Sequence, residues 1–205
     1  WFRKEVKSLD YLKCLKIRIP GFGAEVFSAL GAVPQSLPGG EVYPALERGA
    51  IDAAEWVGPY DDEKLGFYKV AKFYYYPGWW EPGPVLSFYV NKEQWDKLPK
   101  PYQAAFEAAA AEANVGMLAA YDTKNPQAIQ RLVQNGTQLR RYPDDVMKAA
   151  YETAQKIYAE ESAKNPDFKK LYDSMRAFQR PSDIWAGLPE GTLANFMQAM
   201  LRSGK

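Results

Sequence analysis

The chain contains no histidine. That absence removes the usual general base near neutral pH and the commonest transition-metal ligand. Ser-His-Asp and Cys-His catalytic arrangements are excluded with it. There is one cysteine, Cys14, so no disulfide can form within the chain. Cys14 stands among Leu12 and Leu15 in a helix-like segment, which predicts a buried, inert thiol. No apolar run reaches the roughly 18 to 20 residues of a membrane span. Charge of one sign is not in excess either: 26 basic and 25 acidic residues over 205 give a net charge of +1. Nothing therefore predicts a nucleic-acid or membrane-surface partner. The opening Trp1-Phe2-Arg3-Lys4-Glu5 has neither Met nor an apolar leader. Such a start is expected of a processed or partial chain.

Aromatic residues are abundant at 15%, with 6 Trp and 14 Tyr. Enrichment of this kind suits an aromatic-lined ligand cleft, or a core and a subunit interface. The first third of the sequence alternates as a parallel sheet does. Lys16-Ile17-Arg18-Ile19-Pro20 predicts a short strand, 24–30 a helix with Val26, Phe27 and Leu30 on one face, and 33–37 a second strand. Gly39-Gly40 opens a helix over 41–48, and 51–57 predicts a third strand. A βαβαβ unit has right-handed crossovers and binds ligands beyond the carboxyl ends of its strands.

The stretch Lys72-Phe73-Tyr74-Tyr75-Tyr76-Pro77-Gly78-Trp79-Trp80-Glu81-Pro82-Gly83-Pro84 predicts a strand feeding a rigid loop, because its prolines and glycines forbid a long regular element. Residues 85–90 predict a buried strand. From Lys92 onward the pattern is helical: a short helix to Leu98, a long Ala-rich helix over 102–124, and another over 126–134. A strand over 138–142 follows, then helices over 143–164, 166–179 and 191–201, with Arg180-Pro181 as a break.

Three places carry chemistry. Arg18 ends an apolar strand, where a guanidinium is costly to bury unless paired. Its planar fork suits a ligand carboxylate, or a structural Asp or Glu. Glu55 and Trp56 end the third strand. There the Glu55 carboxylate and the Trp56 carbonyl suit a hard cation such as Na⁺ or Ca²⁺; the alternative is a core Trp beside a surface Glu. Glu81 sits in the aromatic loop, either aimed at the crevice or exposed to solvent. Other patterns have plainer explanations. Gly21-Phe22-Gly23 is an incomplete nucleotide fingerprint, since Val26 stands at its third glycine, and Glu47 belongs to a helix surface. Asp61-Asp62 and Asp144-Asp145 fall at helix starts, where capping and the helix dipole account for them.

Read together, these blocks resemble one family. Leu12-Lys13-Cys14-Leu15-Lys16-Ile17-Arg18-Ile19-Pro20-Gly21 resembles the L-k-G-L-K-x-R segment of the TRAP-transporter solute-binding proteins, the DctP-like family; Cys14 stands where glycine is usual. Gly31-Ala32-Val33-Pro34 and Leu46-Glu47-Arg48-Gly49-Ala50-Ile51-Asp52-Ala53 resemble its next blocks. Ala54-Glu55-Trp56-Val57-Gly58-Pro59 and Tyr76-Pro77-Gly78-Trp79-Trp80-Glu81 look like the branch that binds 2-oxo and 2-hydroxy acids. Asn91-Lys92-Glu93-Gln94-Trp95-Asp96-Lys97-Leu98-Pro99 looks like the block before the family's long helix.

The resemblance implies an α/β, periplasmic-binding-protein-like fold: the βαβαβ unit, then a helix-rich C-terminal half with a long bracing helix. It implies that 1–83 begin the second lobe. Residues 84–124 would complete a largely absent first lobe and supply the connecting helix. Residues 125–205 would finish the second lobe and carry a dimerisation extension. Arg18 and Trp56 would contact a small organic carboxylate. Glu55, Trp56 and Glu81 would hold a bridging Na⁺ or Ca²⁺, with no catalytic cofactor. The protein would be a periplasmic subunit, not an enzyme. It would pass solute to TRAP membrane permease subunits; Phe168, Leu171, Tyr172, Met175, Phe178 and Trp185 would either pair it as a homodimer, as in dimeric relatives of the branch, or pack within its own core. Further ligand groups, including a polar amide for the cation, would come from the first lobe. A sensor domain of the same fold is a competing reading. An α/β enzyme acting on small acids is another, which the missing histidine and nucleotide motif argue against.

Overall fold

The computed structural model describes residues 1–81, 83 and 85–204. Strand β1 (Lys16–Arg18) leads through helix α1 (Gly21–Ala29) to strand β2 (Val33–Gln35). Helix α2 (Gly39–Arg48) then returns the chain to strand β3 (Ala53–Ala54). The βαβαβ expectation holds, with shorter strands than the apolar runs suggested. Both β2 and β3 pair parallel to β1, on opposite sides of it. The first crossover thus moves to one side of β1, and the second carries the chain back past β1 to its other side. A ligand crevice forms at such a switch point, beyond the carboxyl end of the strand.

Helix α3 (Pro59–Leu65) starts directly after the third strand, and a 3₁₀ turn at 67–69 precedes strand β4 (Phe73–Tyr76). Helices α4 (Lys92–Lys97) and α5 (Lys100–Gln134) follow, then strand β5 (Gln138–Arg141), parallel to β4 from Phe73–Gln138 to Tyr76–Arg141. Residues 1–3 join the two strand groups. Phe2 bridges Ala53 on one side and Phe73 on the other, antiparallel to both. Its N–H donates to the Phe73 carbonyl at 2.8 Å, and the Arg3 N–H donates to the Asp52 carbonyl at 3.0 Å.

Alternate strand residues face opposite sides, so the sheet carries two cores. Phe2, Ile17, Ala53 and Tyr75 pack with Phe27 of α1 and with Tyr142 and Val146. Trp1, Ala54 and Tyr74 pack with Val42 and Leu46 of α2, Phe67, and Leu132 of α5. Fully burying a side chain such as Phe27 or Phe67 contributes about 2 kcal/mol.

Several local expectations are corrected. Residues 85–90 form no strand: Val85, Leu86, Phe88 and Tyr89 are largely exposed, and no strand among the described residues runs beside them. An extended segment needs a neighbour to complete a ladder. Helix α4 ends just before Pro99, and Pro101 falls in the first turn of α5, where its missing N–H costs nothing. Pro126 does not divide the long helix; α5 runs unbroken through it. An interior proline costs about 3 kcal/mol. Here docking on α3 offsets it. Ala128 and Leu132 are buried, Arg131 grips Glu63 through two 2.7 Å bonds, the Tyr121 hydroxyl donates to Asp61 at 2.7 Å, and the Tyr60 N–H donates to the Asn125 side chain at 3.1 Å.

Cys14 is exposed, not buried, and its φ is +61°. The left-handed region favours glycine, which accounts for the glycine in the family pattern it resembles.

The chain divides into two compact units, 1–153 and 154–205. Helix α6 (Asp144–Lys164) contributes to both. In the second unit, helix α7 (Pro166–Ala186) continues through Pro181, contrary to the expected break; the Ser182 hydroxyl adds a 2.8 Å bond to the Phe178 carbonyl in that turn. A π turn at 187–191 connects it to helix α8 (Thr192–Arg202). Tyr158, Phe168 and Tyr172 pack on one another. Leu171, Met175, Phe178 and Trp185 are exposed, as are Leu193, Phe196, Met197 and Leu201 along one face of α8.

Candidate functional site

Arg18 is the last residue of β1, and Ala54 is its register partner on β3. The Glu55 N–H continues the ladder to the Arg18 carbonyl at 2.8 Å. This pairing brings Arg18, Glu55 and Trp56 together at the carboxyl ends of the two strands. Arg18 Nη1 lies 3.0 Å from both the Glu55 carboxylate and the Glu55 carbonyl, and Nε donates to the Leu37 carbonyl at 3.4 Å. The guanidinium sits 4.7 Å from the Trp56 ring centroid, a cation–π distance. Its Nη2 makes no hydrogen bond among the described residues, so one edge of the fork remains for an incoming carboxylate.

Both readings of Arg18 therefore have a basis: it is ion-paired, and it keeps a free donor edge. The pair is well shielded, with 14% of the Arg18 side chain and 11% of the Glu55 side chain exposed. Burial raises the Glu55 carboxyl to about 7, Arg18 opposes this, and the negative charges of Glu81 and Asp62 add to it. The rim thus holds more negative charge than Arg18 offsets.

Gly39, at the start of α2, makes room for Trp56. A Cβ there would stand 2.7 Å from the Trp56 Cη2 atom. Trp56 also meets Phe67 edge-on, with centroids 6.1 Å apart. The Gly39-Gly40 pair had only marked a helix start; its second function, close approach to an aromatic ring, had no signal in the sequence.

Glu81 is not joined to this cluster by a hydrogen bond. It is exposed, and its N–H donates to the Gly78 carbonyl at 3.3 Å in the aromatic loop. It is near enough to act on Glu55 through charge. Trp79 and Trp80, beside it, pack on Phe27 of α1. Pro82 and Pro84, in the expected rigid loop, lie outside the described residues.

Asp62 was read only as a helix-start residue. It does reach back to the Gly58 N–H at 3.1 Å, as a cap does, but it is 1% exposed. It also accepts from the Trp1 indole at 2.6 Å and the Tyr74 hydroxyl at 2.8 Å. Burial is the main cause of its raised pKa.

No three His, Cys, Asp or Glu side chains among the described residues converge as a metal centre. The donor chemistry nevertheless fits a hard cation. It consists of a shielded carboxylate held up by neighbouring negative charge, a second carboxylate nearby, and a backbone carbonyl at a strand end.

Comparison with known proteins gives a consistent result. Residues 2–165 match the family described as bacterial extracellular solute-binding protein, family 7. A Nostoc protein named a monocarboxylate 2-oxoacid-binding periplasmic protein is 52% identical over 196 residues, covering 96% of this chain and 54% of that protein. The chain thus spans about half the length of this curated relative. A TRAP transporter solute-binding protein from Bordetella bronchiseptica superposes with a TM-score of 0.92 at 46% identity, over 100% of this chain and 61% of that one. It is described as a mixed-occupancy dimer, with calcium and picolinate in one active site and the other apo. A TRAP periplasmic solute-binding protein from Colwellia psychrerythraea, with bound calcium and pyruvate, has a TM-score of 0.91 at 37% identity, over 95% of this chain and 60% of that one.

Proposed function

This chain belongs to the family-7 bacterial extracellular solute-binding proteins, and from that premise we propose that it captures a small 2-oxo or 2-hydroxy acid for a TRAP-type transporter. The observation that carries the reading is the Arg18 guanidinium. It is held at the carboxyl end of β1 against Glu55 and the Trp56 ring, with Nη2 still open. A guanidinium so placed binds one carboxylate by charge-assisted hydrogen bonds. Trp56 supplies an apolar wall for the short carbon skeleton.

Glu55 and Glu81, with the Trp56 carbonyl, would hold Ca²⁺ or Na⁺. Such a cation would offset the excess negative charge of the rim and polarise oxygen atoms of the bound acid. The Nostoc relative supports this choice of ligand, and the Bordetella and Colwellia relatives, with bound calcium beside picolinate and pyruvate, support the cation. The protein would work in the periplasm and deliver its solute to the TRAP membrane permease. Residues 84–124, exposed over 85–90 and along the first half of α5, would complete the opposing lobe of the crevice. Leu171, Met175, Phe178 and Trp185, all exposed, would face a second copy of the chain; the Bordetella relative is described as a dimer.

A thermal-shift panel on the full-length protein tests the reading. Pyruvate and lactate at about one hundred times their Kd, with Ca²⁺, should raise the midpoint by roughly 5 °C or more. Uncharged analogues such as acetone should not. A panel in which no 2-oxo or 2-hydroxy acid shifts the midpoint, with Ca²⁺ or Na⁺, contradicts it.

A further inference from the structure

The turn from β2 into α2 touches both Arg18 and Trp56. The Leu37 carbonyl accepts from Arg18 Nε at 3.4 Å, and Gly39 lies against the Trp56 ring. Gly39 has no positive φ, so its backbone does not call for glycine. Space does. A Cβ at this position would stand 2.7 Å from Cη2, 3.3 Å from Cζ2 and 3.7 Å from Cζ3 of Trp56, all on the benzo edge of the indole. At Gly40, the next residue, a Cβ would meet nothing within 4 Å. The close approach therefore belongs to position 39 and not to the helix start in general.

The packing decides which side would yield to a larger residue. Helix α2 is pinned to the core by Val42 and Leu46, both fully buried, and by Ala45. Phe67, also fully buried, stands edge-on to the Trp56 ring. The Arg18 guanidinium lies over that ring at 4.7 Å and is itself held by the Leu37 carbonyl and by Glu55. A close-packed core gives little. The half-buried indole is the part that can move, and it moves toward its open side, where the crevice lies.

We propose that Gly39 is a positioning residue that sets the length of the acid the site accepts: its bare Cα lets the Trp56 indole lie back against α2, and the space left beside Arg18 takes the carbon chain of the solute. The inference rests on the carboxylate capture proposed above. A side chain at position 39 moves the benzo edge into that space. An acid of any length keeps its carboxylate on Arg18, so the penalty falls on the atoms beyond the oxo carbon. Longer chains lose most, and pyruvate, with its single methyl, loses least. One methylene more or less in an apolar pocket changes discrimination by about 10- to 200-fold.

The test is calorimetry with pyruvate, 2-oxobutanoate and 2-oxopentanoate, in the presence of Ca²⁺. It uses the full-length protein and its Gly39→Ala, Gly40→Ala, Trp56→Phe and Gly39→Ala/Trp56→Phe variants. The readout is the Kd of the longest acid the parent binds, divided by that of pyruvate. Gly39→Ala should raise this ratio by about tenfold or more. Gly40→Ala should keep it within about twofold of the parent. Trp56→Phe removes the benzo edge, so in that background Gly39→Ala should change the ratio by less than about twofold. A merely structural glycine would lower the thermal midpoint and weaken every acid alike; that result for Gly39→Ala overturns the inference, as does an unchanged ratio. Should Gly39→Ala not fold, Trp56→Phe decides alone: it opens the same space, so its ratio should fall below the parent's, and a ratio at or above the parent's overturns the inference. A parent that binds pyruvate alone has no such space and overturns it while the carboxylate reading stands. A parent that binds none of these acids removes both.

Discussion

Arg18 Nη1 lies 3.0 Å from the Glu55 carboxylate, and both side chains are more than four-fifths shielded from solvent. One ion pair therefore joins the proposed anchor for the solute to the proposed anchor for the cation. A ligand carboxylate at Arg18 would draw the guanidinium away from Glu55. A cation at Glu55 would draw the carboxylate away from Arg18. Each event loosens the contact that competes with the other, so their binding is linked, and the linkage is reciprocal.

Pyruvate and Ca²⁺ should accordingly raise each other's affinity by the same factor, about 5- to 150-fold for a coupling of ordinary size. Titrating pyruvate at several Ca²⁺ levels, including excess chelator, measures it. Equal pyruvate affinity with and without the cation would contradict a shared site.

In the ligand-free protein, the contribution of Glu55 to stability should fall as pH rises from about 4.5 to about 7. Burial lifts the folded-state Glu55 carboxyl to about 7 from 4.5 in a model peptide. Between those values the folded state binds more protons than the unfolded one, so stability is higher at the acid end and falls with rising pH. The raised carboxyl of Asp62 acts with the same sign. Urea midpoints between pH 5 and 8 follow this, and Glu55→Gln should flatten the slope in that window. An unchanged slope would remove Glu55 as its source.

Cys14→Gly should stabilise the protein by about 0.5–1 kcal/mol. Its φ of +61° is strained for a residue with a Cβ, and glycine relieves the strain at some cost in unfolded-chain entropy. Denaturant unfolding of the two proteins measures the difference. The exposed thiol should also react with Ellman's reagent in the native state, which a buried thiol would not do.

The parallel βαβαβ order was legible because apolar period and punctuation agree there. Gly and Pro bound each element, and Ile17, Val26, Phe27, Val42 and Leu46 are all buried. The placement of Arg18 and Glu55 at one rim followed from that order, since both stand at carboxyl ends of strands. The strand expected at 85–90 had equal local pattern but no neighbour to pair with, and pairing is not written in one segment. Pro126 and Pro181 were read as breaks because propensity is local, whereas contacts of Tyr121, Asn125 and Arg131 with α3 hold α5 together across its proline. Asp62 was missed for a related reason. A cap and a buried hub look alike in sequence, and only the approach of Trp1 and Tyr74, distant along the chain, distinguishes them.

The most direct test is calorimetric titration of pyruvate, with Ca²⁺ present, into the full-length protein and its Arg18→Ala and Arg18→Lys variants. The parent should bind, Arg18→Ala should lose at least about 100-fold in affinity, and Arg18→Lys should recover little, because an ammonium lacks the planar fork. An Arg18→Ala protein that binds pyruvate as tightly as the parent would contradict the assignment of Arg18 as the carboxylate anchor.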